Sequence, residues 1–409
     1  MNKPIAADAP MLLIIPSVPG NRTTSGYYLD EKAVLGLELY ARFWPGRVLT
    51  LFREGDRSAI LFGREYTLED LPFDVQIVTN NGEIDEINLT NAAIIAASGD
   101  NFLDFPLADI CKKIDVPLVY FIEYILETRL QIIALDKGTK FSKIKSAVWT
   151  CLSERDRRRA FRKASGLQAN GTPAGNAYAS LTPDLITYFD TRMPRALMAT
   201  DVEIERKIER LKAGQPLRLG FSGRLDPMKG SDHLIYTAEK LRLAGCDFSL
   251  DIFGSGSLEQ SMQDRIKQSQ LASHVRIHPP IDFKTALVPF FRNDIDLFLC
   301  CHRQADPSCT YMEAMGCGVP ISGYGNKAFM GLLNLAPIGR SARMGSPYAL
   351  ARAVLALDAD RATLGKMMWE ARNLSSRNDV ESTFINRVEH LVRLAKMDVG
   401  RKTEHRRQI

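Results

Sequence analysis

Short apolar runs alternate with helix-like stretches through the 409-residue chain, and this alternation limits the possible folds more than any other feature. In the second half, five such runs lie at 217–222, 249–254, 275–279, 296–301 and 319–323. Helical patterns between them occupy 231–244, 257–269 and 283–292. Runs that are apolar at nearly every position are typical of parallel strands covered on both faces. The second half therefore predicts an α/β fold with a doubly wound sheet.

The first half shows the same pattern less regularly. Its strand-like runs lie at 11–16, 47–52, 75–78, 92–97 and 117–122. A helical stretch at 29–43 separates the first two. A charged segment between Met193 and Pro216 predicts the boundary between two domains, and the chain becomes helical from about Pro347 onward.

Composition excludes several classes of protein. An apolar fraction of 45% and a charged fraction of 25% are typical of a globular domain with a large core. The seven cysteines are scattered and form no CxxC pair, which predicts reduced thiols, a cytoplasmic location and no zinc site. The N-terminus lacks a secretory pattern, and no apolar run approaches the roughly 18 residues expected of a membrane span.

The segment from Asp306 to Ile321 carries the clearest functional signal. Asp306 and Pro307 predict a helix start after the strand at 296–301, and glycines near 316–318 predict its end. Free amides at a helix N-terminus bind anions. Glu313 lies among apolar residues and needs a partner if it is buried. The alternative is an ordinary buried helix.

Two further loops follow predicted strands. Gly223 and Arg224, then Lys229, follow the strand at 217–222, where loops face the ligand crevice of a parallel sheet. Two cations there suit a diphosphate, although they could also be solvated charges. Gly254 ends the next strand in a glycine-rich turn that either admits a ligand or is simply a tight turn.

Taken together, GRLDPMKG, DIFGSGSLE, VRIHPPI and DPSCTYMEAMGCGVPI resemble the donor half of glycosyltransferase family 4, the retaining group 1 glycosyltransferases of GT-B architecture. The resemblance is strong over 217–330 and weak over 1–200. It implies two Rossmann-like doubly wound domains that face a cleft: an acceptor-binding domain at 1–200 and a nucleotide-sugar domain at 201–375. Residues 376–409 would then cross back to the first domain and end in a basic tail.

The resemblance also implies roles for individual residues. Arg224 and Lys229 would hold the diphosphate of a nucleoside-diphosphate sugar, without a metal or other cofactor. Backbone amides near Ser308, Cys309 and Thr310 would bind phosphate, and Glu313 would bind the ribose. The chain departs from the family eight residues before Glu313, where Ala305 replaces a sugar-contacting glutamate. The neighbouring Asp306 either substitutes for that glutamate or only caps the helix.

The first domain also departs from the family. Members often carry a first-domain histidine near the reacting carbon, whereas the first of the six histidines in this chain is His233. Glu123 and Tyr124, at the end of the strand at 117–122, take the corresponding place. Glu123 would orient the acceptor hydroxyl or act as its base, or it is a solvated loop carboxylate. Gly20, in the loop 17–26, and Asp100 are predicted on the same acceptor side.

Basic residues concentrate between Lys137 and Lys163, and the tail GRKTEHRRQI is basic too. Anionic lipid, nucleic acid or a phosphorylated acceptor would fit the central run, as would a merely solvated helix face; plain disorder would explain the tail. We predict contact with the inner membrane face through Arg157, Arg158 and Arg159. The expected acceptor is a saccharide linked to lipid pyrophosphate, and nucleic acid is not an expected partner.

The sequence thus predicts a retaining glycosyltransferase of surface-polysaccharide assembly. Two alternatives share the fold: a sugar-nucleotide epimerase and a non-catalytic nucleotide-sugar binder. The histidine-free first half argues against an epimerase, and no segment marks the buried lysine of a pyridoxal-type phosphorylase. Ala305 keeps the non-catalytic alternative open.

Overall fold

In the computed structural model, the described residues are 9–60, 62–79, 84, 86–136, 138–305 and 307–396. Their strands, in chain order, are β1 Met11–Ile15, β2 Asn21–Arg22, β3 Tyr27–Asp30, β4 Arg47–Arg53, β5 Gly63–Tyr66, β6 Asp74–Val78, β7 Ile94–Ser98, β8 Leu118–Ile122, β9 Gly166–Asn170, β10 Leu185–Tyr188, β11 Leu217–Ser222, β12 Phe248–Phe253, β13 Val275–His278, β14 Leu297–Cys300, β15 Ile321–Tyr324 and β16 Gly339–Ala342. Their α-helices are α1 Glu31–Phe43, α2 Glu86–Leu89, α3 Leu107–Lys113, α4 Leu126–Leu135, α5 Lys140–Lys163, α6 Gly171–Tyr178, α7 Asp201–Lys212, α8 Ser231–Leu243, α9 Glu259–Gln268, α10 Val288–Asp294, α11 Cys309–Gly316, α12 Lys327–Leu335, α13 Pro347–Ala359, α14 Arg361–Ser376 and α15 Val380–Leu394.

The first sheet is parallel and has the order β10-β9-β8-β7-β1-β4-β6. All five strands predicted in this half are present. Strands β9 and β10 were missed, because polar side chains interrupt the apolar pattern of β9 and β10 is short. Gln168 of β9 is buried, but it is bonded to Arg387 rather than packed among apolar groups.

The second sheet is also parallel, in the order β13-β12-β11-β14-β15-β16. Its five predicted strands are confirmed, and β16 is an additional edge strand whose sequence, GRSA, has no apolar run. The helix predicted at 283–292 is a π-helical turn, Phe283–Leu287, followed by α10. The strand order reverses between β11 and β14, and ligands of open parallel sheets bind at such a reversal.

The loop predicted at 17–26 is instead tied into a small antiparallel sheet, β2-β3-β5. The amide of Gly20 donates to the carbonyl of Arg53 at 2.9 Å. A Cβ on Gly20 would meet side-chain atoms of Leu29 and Phe52 at 3.0 Å. Gly20 is therefore packed against β4 rather than open to a ligand, and its acceptor-side role stays a prediction.

The C-terminal helix α15 packs against the first domain, as expected. Its Phe384 meets Tyr40 of α1 edge to face, with ring centroids 5.1 Å apart. Arg387 Nε donates to Gln168 Oε1 at 2.9 Å. The fold prediction of two Rossmann-like domains with a helix crossing back is thus confirmed, and GT-B is its architecture.

The basic run forms α5, and one of its arginines is buried where the sequence predicted a membrane contact. Arg157 is fully buried and donates to the carbonyl of Gly99 at 2.6 Å, to Tyr178 OH at 2.9 Å and to Asp100 Oδ1 at 2.9 Å. A side chain held in this way cannot reach a membrane, so its predicted lipid contact is wrong. Lys137 and the basic tail lie outside the described residues. No helix within the described ranges is long and apolar enough to cross a membrane.

Candidate functional site

The loops after β11 and β14 meet at the point where the order of the second sheet reverses. Gly230 has a φ of +63°, and a Cβ there would meet the carbonyl oxygen of Cys301 at 2.1 Å. Gly254 has a φ of +158°, and a Cβ there would meet the carbonyl oxygen of Gly223 at 1.9 Å. Both positions require glycine, because only a residue without a side chain permits these backbone approaches. The predicted glycines therefore bring three loops together at one edge of the sheet.

Lys229 lies within this group of loops, and its side chain is largely buried. Its Nζ donates to Ser308 Oγ at 3.3 Å, so the ammonium lies beside the start of α11. Asp226 shapes the loop, since its Oδ1 accepts from the amide of Lys229 at 3.0 Å. Arg224 Nε lies 3.4 Å from Asp226 Oδ2, while 56% of the arginine side chain is exposed. One fixed cation and one accessible cation thus flank the same loop.

Helix α11 begins at Cys309, two residues after Pro307, which was predicted in its first turn. Asp306 lies outside the described residues, so its two predicted roles stay predictions. Ser308 is the N-cap, but its hydroxyl lies 2.9 Å from Thr310 Oγ1 and bonds to Lys229 instead of capping the helix amides. The amides at the start of α11 thereby lie next to an ammonium, which is a favourable arrangement for a phosphate.

Cys309, predicted to contribute its backbone amide, carries a neutral thiol. Burial, followed by the Glu313 carboxylate, raises the pKa of this thiol well above its usual value. A thiol that stays protonated is a poor nucleophile. Its position therefore fits a contribution through the backbone rather than through sulfur.

Glu313 is buried, and its partner is a residue that the sequence analysis did not identify. This partner is Arg192, whose Nε lies 2.8 Å from Oε1 and whose Nη2 lies 3.1 Å from Oε2. The guanidinium also lies over the ring of Phe283, 4.3 Å from its centroid. Burial by itself would lower the pKa of Arg192. The charge of Glu313 and its hydrogen bonds together have the larger effect, so the pKa is raised.

This bidentate pair fixes the direction of the Glu313 carboxylate. A carboxylate has about four acceptor positions, so lone pairs remain for two hydroxyl groups of a bound sugar. Arg192 follows β10 and directly precedes Met193, where the predicted boundary segment begins, so no strand, helix or motif pattern marked it.

On the facing domain, Glu123 lies in a polar cluster rather than free in solvent. Its Oε2 accepts from Asn170 Nδ2 at 2.6 Å, and its Oε1 accepts from Tyr188 OH at 3.1 Å. Burial, followed by the charge of Asp190, raises the pKa of Glu123 to about 7. A carboxyl group with such a pKa exchanges protons near neutral pH, which suits an acid or a base.

The cluster contains residues that sequence reasoning missed. The guanidinium of Arg387 lies over the ring of Tyr188, 4.0 Å from its centroid. Burial has the largest effect on the pKa of Asp190 and raises it. The charge of Arg387 lowers this pKa and that of Glu313 raises it, so the net change is a rise. Asp190 follows β10 and Asn170 ends β9, so both lie at carboxyl ends of strands. Recognition of those two short strands would have placed them at the cleft.

Asp100 and Tyr124, also predicted on the acceptor side, are close to Glu123, and the side chain of Asp100 binds the backbone of both neighbours. The Asp100 carboxylate accepts from the amide of Glu123 at 2.6 Å and from that of Tyr124 at 3.3 Å. Its Oδ1 also accepts from the buried Arg157. These contacts hold the turn that carries Glu123, so Asp100 is placed to position that side chain.

Ala305 contacts the first domain across the cleft. Its amide donates to Gln131 Oε1 at 3.0 Å, and its carbonyl accepts from Thr128 Oγ1 at 3.2 Å. Both partners lie on α4. The segment around Ala305 is therefore anchored to the facing domain through its backbone.

The comparisons with known proteins agree with this geometry. Residues 201–373 match the family model described as "Glycosyl transferases group 1". This match confirms the predicted resemblance to the group 1 glycosyltransferases over the second domain. No curated relative matches the sequence.

Solved structures resemble almost the whole chain at low identity. HepE from Anabaena, solved in complex with UDP, has a TM-score of 0.61 at 17% identity and covers 94% of this chain and 99% of its own. Sucrose-phosphate synthase from Thermosynechococcus elongatus has a TM-score of 0.63 at 13% identity, covering 94% and 98%. WaaG, a glycosyltransferase involved in lipopolysaccharide biosynthesis, has a TM-score of 0.59 at 14% identity, covering 93% and 99%. At these identities the likeness shows the fold.

Proposed function

We propose, from the match of the second domain to the group 1 glycosyl transferases, that this protein is a retaining glycosyltransferase. It would transfer a hexose from a nucleoside-diphosphate sugar to a saccharide hydroxyl. One observation supports this most strongly: Lys229 Nζ lies 3.3 Å from Ser308 Oγ at the start of α11. A cation beside a helix N-terminus offsets the charge that develops on a departing diphosphate.

The donor site would use the residues already described. Arg224 and Lys229 would bind the diphosphate together with amides near Ser308, Cys309 and Thr310, in place of a metal ion. Glu313, oriented by Arg192, would bind the ribose hydroxyls. A uridine diphosphate sugar is the first candidate donor, because HepE has been solved with UDP and with UDP-glucose.

The proposed reaction is attack from the face that the diphosphate leaves. The acceptor oxygen bonds to the anomeric carbon while the bond from that carbon to the diphosphate oxygen breaks. Because the acceptor attacks the anomeric carbon directly, no covalent enzyme intermediate forms, and the acceptor proton passes to the departing phosphate. Glu123 would orient the acceptor hydroxyl, or would accept its proton in place of the phosphate.

The proposed acceptor is a saccharide carried on lipid pyrophosphate at the inner face of the plasma membrane. The likeness to WaaG supports a role in surface-polysaccharide assembly, because that protein acts in lipopolysaccharide biosynthesis. The basic surface of α5, described below, supports a negatively charged membrane surface as a partner.

Release of diphosphate tests the proposal. The protein is incubated with UDP-, GDP- and dTDP-sugars and a pool of saccharide acceptors, and released nucleoside diphosphate is measured with and without acceptor. Acceptor-dependent release is expected with one nucleotide family. Glu313→Ala should reduce it by roughly a hundredfold or more, because a buried site loses its sugar-binding carboxylate.

The non-catalytic alternative predicts a different outcome. Ala305 in place of the usual glutamate is the feature that favours it. A pure binder would bind nucleotide sugar, shown by a rise in melting temperature, and release no diphosphate with any acceptor. An epimerase would instead convert the sugar while the diphosphate stays attached.

A further inference from the structure

Helix α5 exposes large apolar side chains to solvent, which is unusual in a helix of such polar composition. The exposed side chains, with their exposed fractions, are Phe141 80%, Ile144 63%, Val148 54%, Trp149 47% and Leu152 55%. Phe141, Ile144, Val148 and Leu152 follow each other at intervals of three or four residues and so form one apolar stripe along the helix. The opposite side of the helix is buried through Thr150, Arg157 and Phe161. The stripe therefore points away from the protein.

A shallow crevice continues this apolar surface. It measures about 440 Å³; its apolar lining includes Phe102, Phe105, Pro106, Trp149 and Leu152, and its charged lining consists of Asp109, Asp156, Arg159 and Lys163. Phe102 meets Trp149 edge to face, with ring centroids 5.2 Å apart, and is itself 49% exposed. Contiguous apolar surface of this kind marks an interaction site.

Basic side chains surround the stripe. Exposed cations on α5 are Lys140, Lys145, Arg155, Arg159, Arg162 and Lys163. Two of these have acidic neighbours: Arg159 lies 3.5 Å from Asp156, and Lys163 pairs with Asp109. The excess of positive charge around an apolar stripe is complementary to anionic lipid headgroups above acyl chains.

We infer that the exposed face of α5 docks the protein on an anionic lipid bilayer. Phe141, Ile144, Val148 and Leu152 would enter the boundary between headgroups and acyl chains, and the flanking lysines and arginines would contact lipid phosphate. The inference deepens the proposed function and rests on it for the nature of the acceptor. It replaces the predicted contact through Arg157 with a contact through the apolar stripe.

Two features favour lipid over a second copy of the chain. If two α5 faces packed on each other, their surrounding cations would be brought together, and like charges repel. An anionic bilayer neutralises the same charges. In addition, α5 is joined to the acceptor side, since Arg157 binds Asp100, which holds the turn of Glu123. Docking through α5 would place the Glu123 side of the cleft near a lipid-linked saccharide.

Flotation with vesicles tests the inference on the full chain. The wild-type protein should float with phosphatidylglycerol-containing vesicles and much less with pure phosphatidylcholine. Phe141→Ser, Ile144→Ser and Leu152→Ser together should reduce the bound fraction by about tenfold or more, because three apolar anchors are lost. The matched control changes three exposed apolar residues of the second domain: Leu243→Ser, Leu335→Ser and Tyr348→Ser. It should float like wild type.

Trp149 gives a second readout that leaves the stripe intact. Brominated lipids should quench wild-type fluorescence, and Trp149→Phe should remove most of that quenching while flotation persists. The other two tryptophans provide the background, since Trp44 is buried and Trp369 lies in the second domain. No quenching in the wild type would overturn the inference.

Two further measurements separate the possible outcomes. The stripe variant should release diphosphate normally with a water-soluble acceptor, so a loss of membrane binding is distinguished from failure of the proposed function. Sedimentation velocity should give the same mass for wild type and variant. The inference is overturned if the variant floats like wild type, or if it only converts a dimer into monomers.

Discussion

The proposed donor side and the proposed acceptor side of the cleft are built in different ways. On the donor side, the loop after β11 supplies Arg224 and Lys229, and the loop after β14 leads to the start of α11. The loop after β12 contacts the first of these through Gly254, and backbone contacts set most of the geometry. On the acceptor side, Glu123 depends on side chains from β9, β10 and α15. A site of the first kind leaves a local motif in the sequence. A site of the second kind is formed only when distant segments meet.

The largest expected effect tests the donor side. Lys229→Ala removes the ammonium beside the start of α11 and should lower turnover by roughly a thousandfold, comparable to the loss of one preorganised transition-state donor. Turnover is measured as diphosphate release at saturating donor. Lys267→Ala, on the exposed surface of α9 in the same domain, is the control. Wild-type turnover in Lys229→Ala would remove this lysine from the site.

The acceptor side should lose stability when Arg157, which holds Asp100, is replaced. Arg157→Leu leaves Asp100 without its buried cation and should lower the free energy of unfolding by about 3 kcal/mol, as when one partner of a buried pair is removed. Chemical denaturation measures this. Arg159→Leu, on the exposed side of the same helix, should change stability by less than about 0.5 kcal/mol. Equal effects of the two variants would contradict the buried role of Arg157.

The activity should depend on pH through Glu123. Its carboxyl pKa is raised to about 7, so the ionised form that can accept a proton is lost as pH falls below that value. If the acceptor proton passes through Glu123, kcat/KM should rise with pH through this region. Glu123→Gln should lower the rate by about a hundredfold and abolish that pH limb. Glu69→Gln, an exposed carboxylate of the same domain, should keep wild-type rate and profile.

The smallest expected effect concerns Arg192, which positions Glu313 without belonging to either motif. Arg192→Ala should raise the donor KM by about tenfold and change kcat less, because Glu313, the proposed ribose-binding carboxylate, loses one charged hydrogen-bonding partner. Arg192→Lys should recover part of the affinity but not the bidentate geometry. A fall in kcat with an unchanged KM would assign Arg192 a different role.

The sequence predicted the fold well because apolar runs and turn residues are local signals. It placed ten strands of the two large sheets, and the donor loops followed from strand ends. It missed β9, β10 and β16, whose side chains are polar or whose runs are short. For the same reason it missed Asn170, Tyr188 and Asp190, whereas Arg387 was missed because α15 meets these strands only in the folded chain.

Two errors have a common physical cause. Arg157 belongs to a basic run and was predicted to contact the membrane, but burial of one arginine in a helix depends on partners far away in sequence. The start of α11 was predicted from Asp306 and Pro307, whereas the helix begins at Cys309. Charge patterns and cap residues report local preferences, and tertiary contacts determine which of them are realised.

The central claim is that the loops after β11 and β14 form a diphosphate site, and calorimetric titration tests it most directly. Matched diphosphates and monophosphates of uridine, guanosine and thymidine are titrated into wild type and Lys229→Ala. The wild type should prefer one diphosphate over its monophosphate by about tenfold or more, as expected for an additional charged hydrogen bond, and Lys229→Ala should lose that preference. An unchanged preference in the variant, or equal binding of diphosphate and monophosphate by the wild type, would contradict the claim.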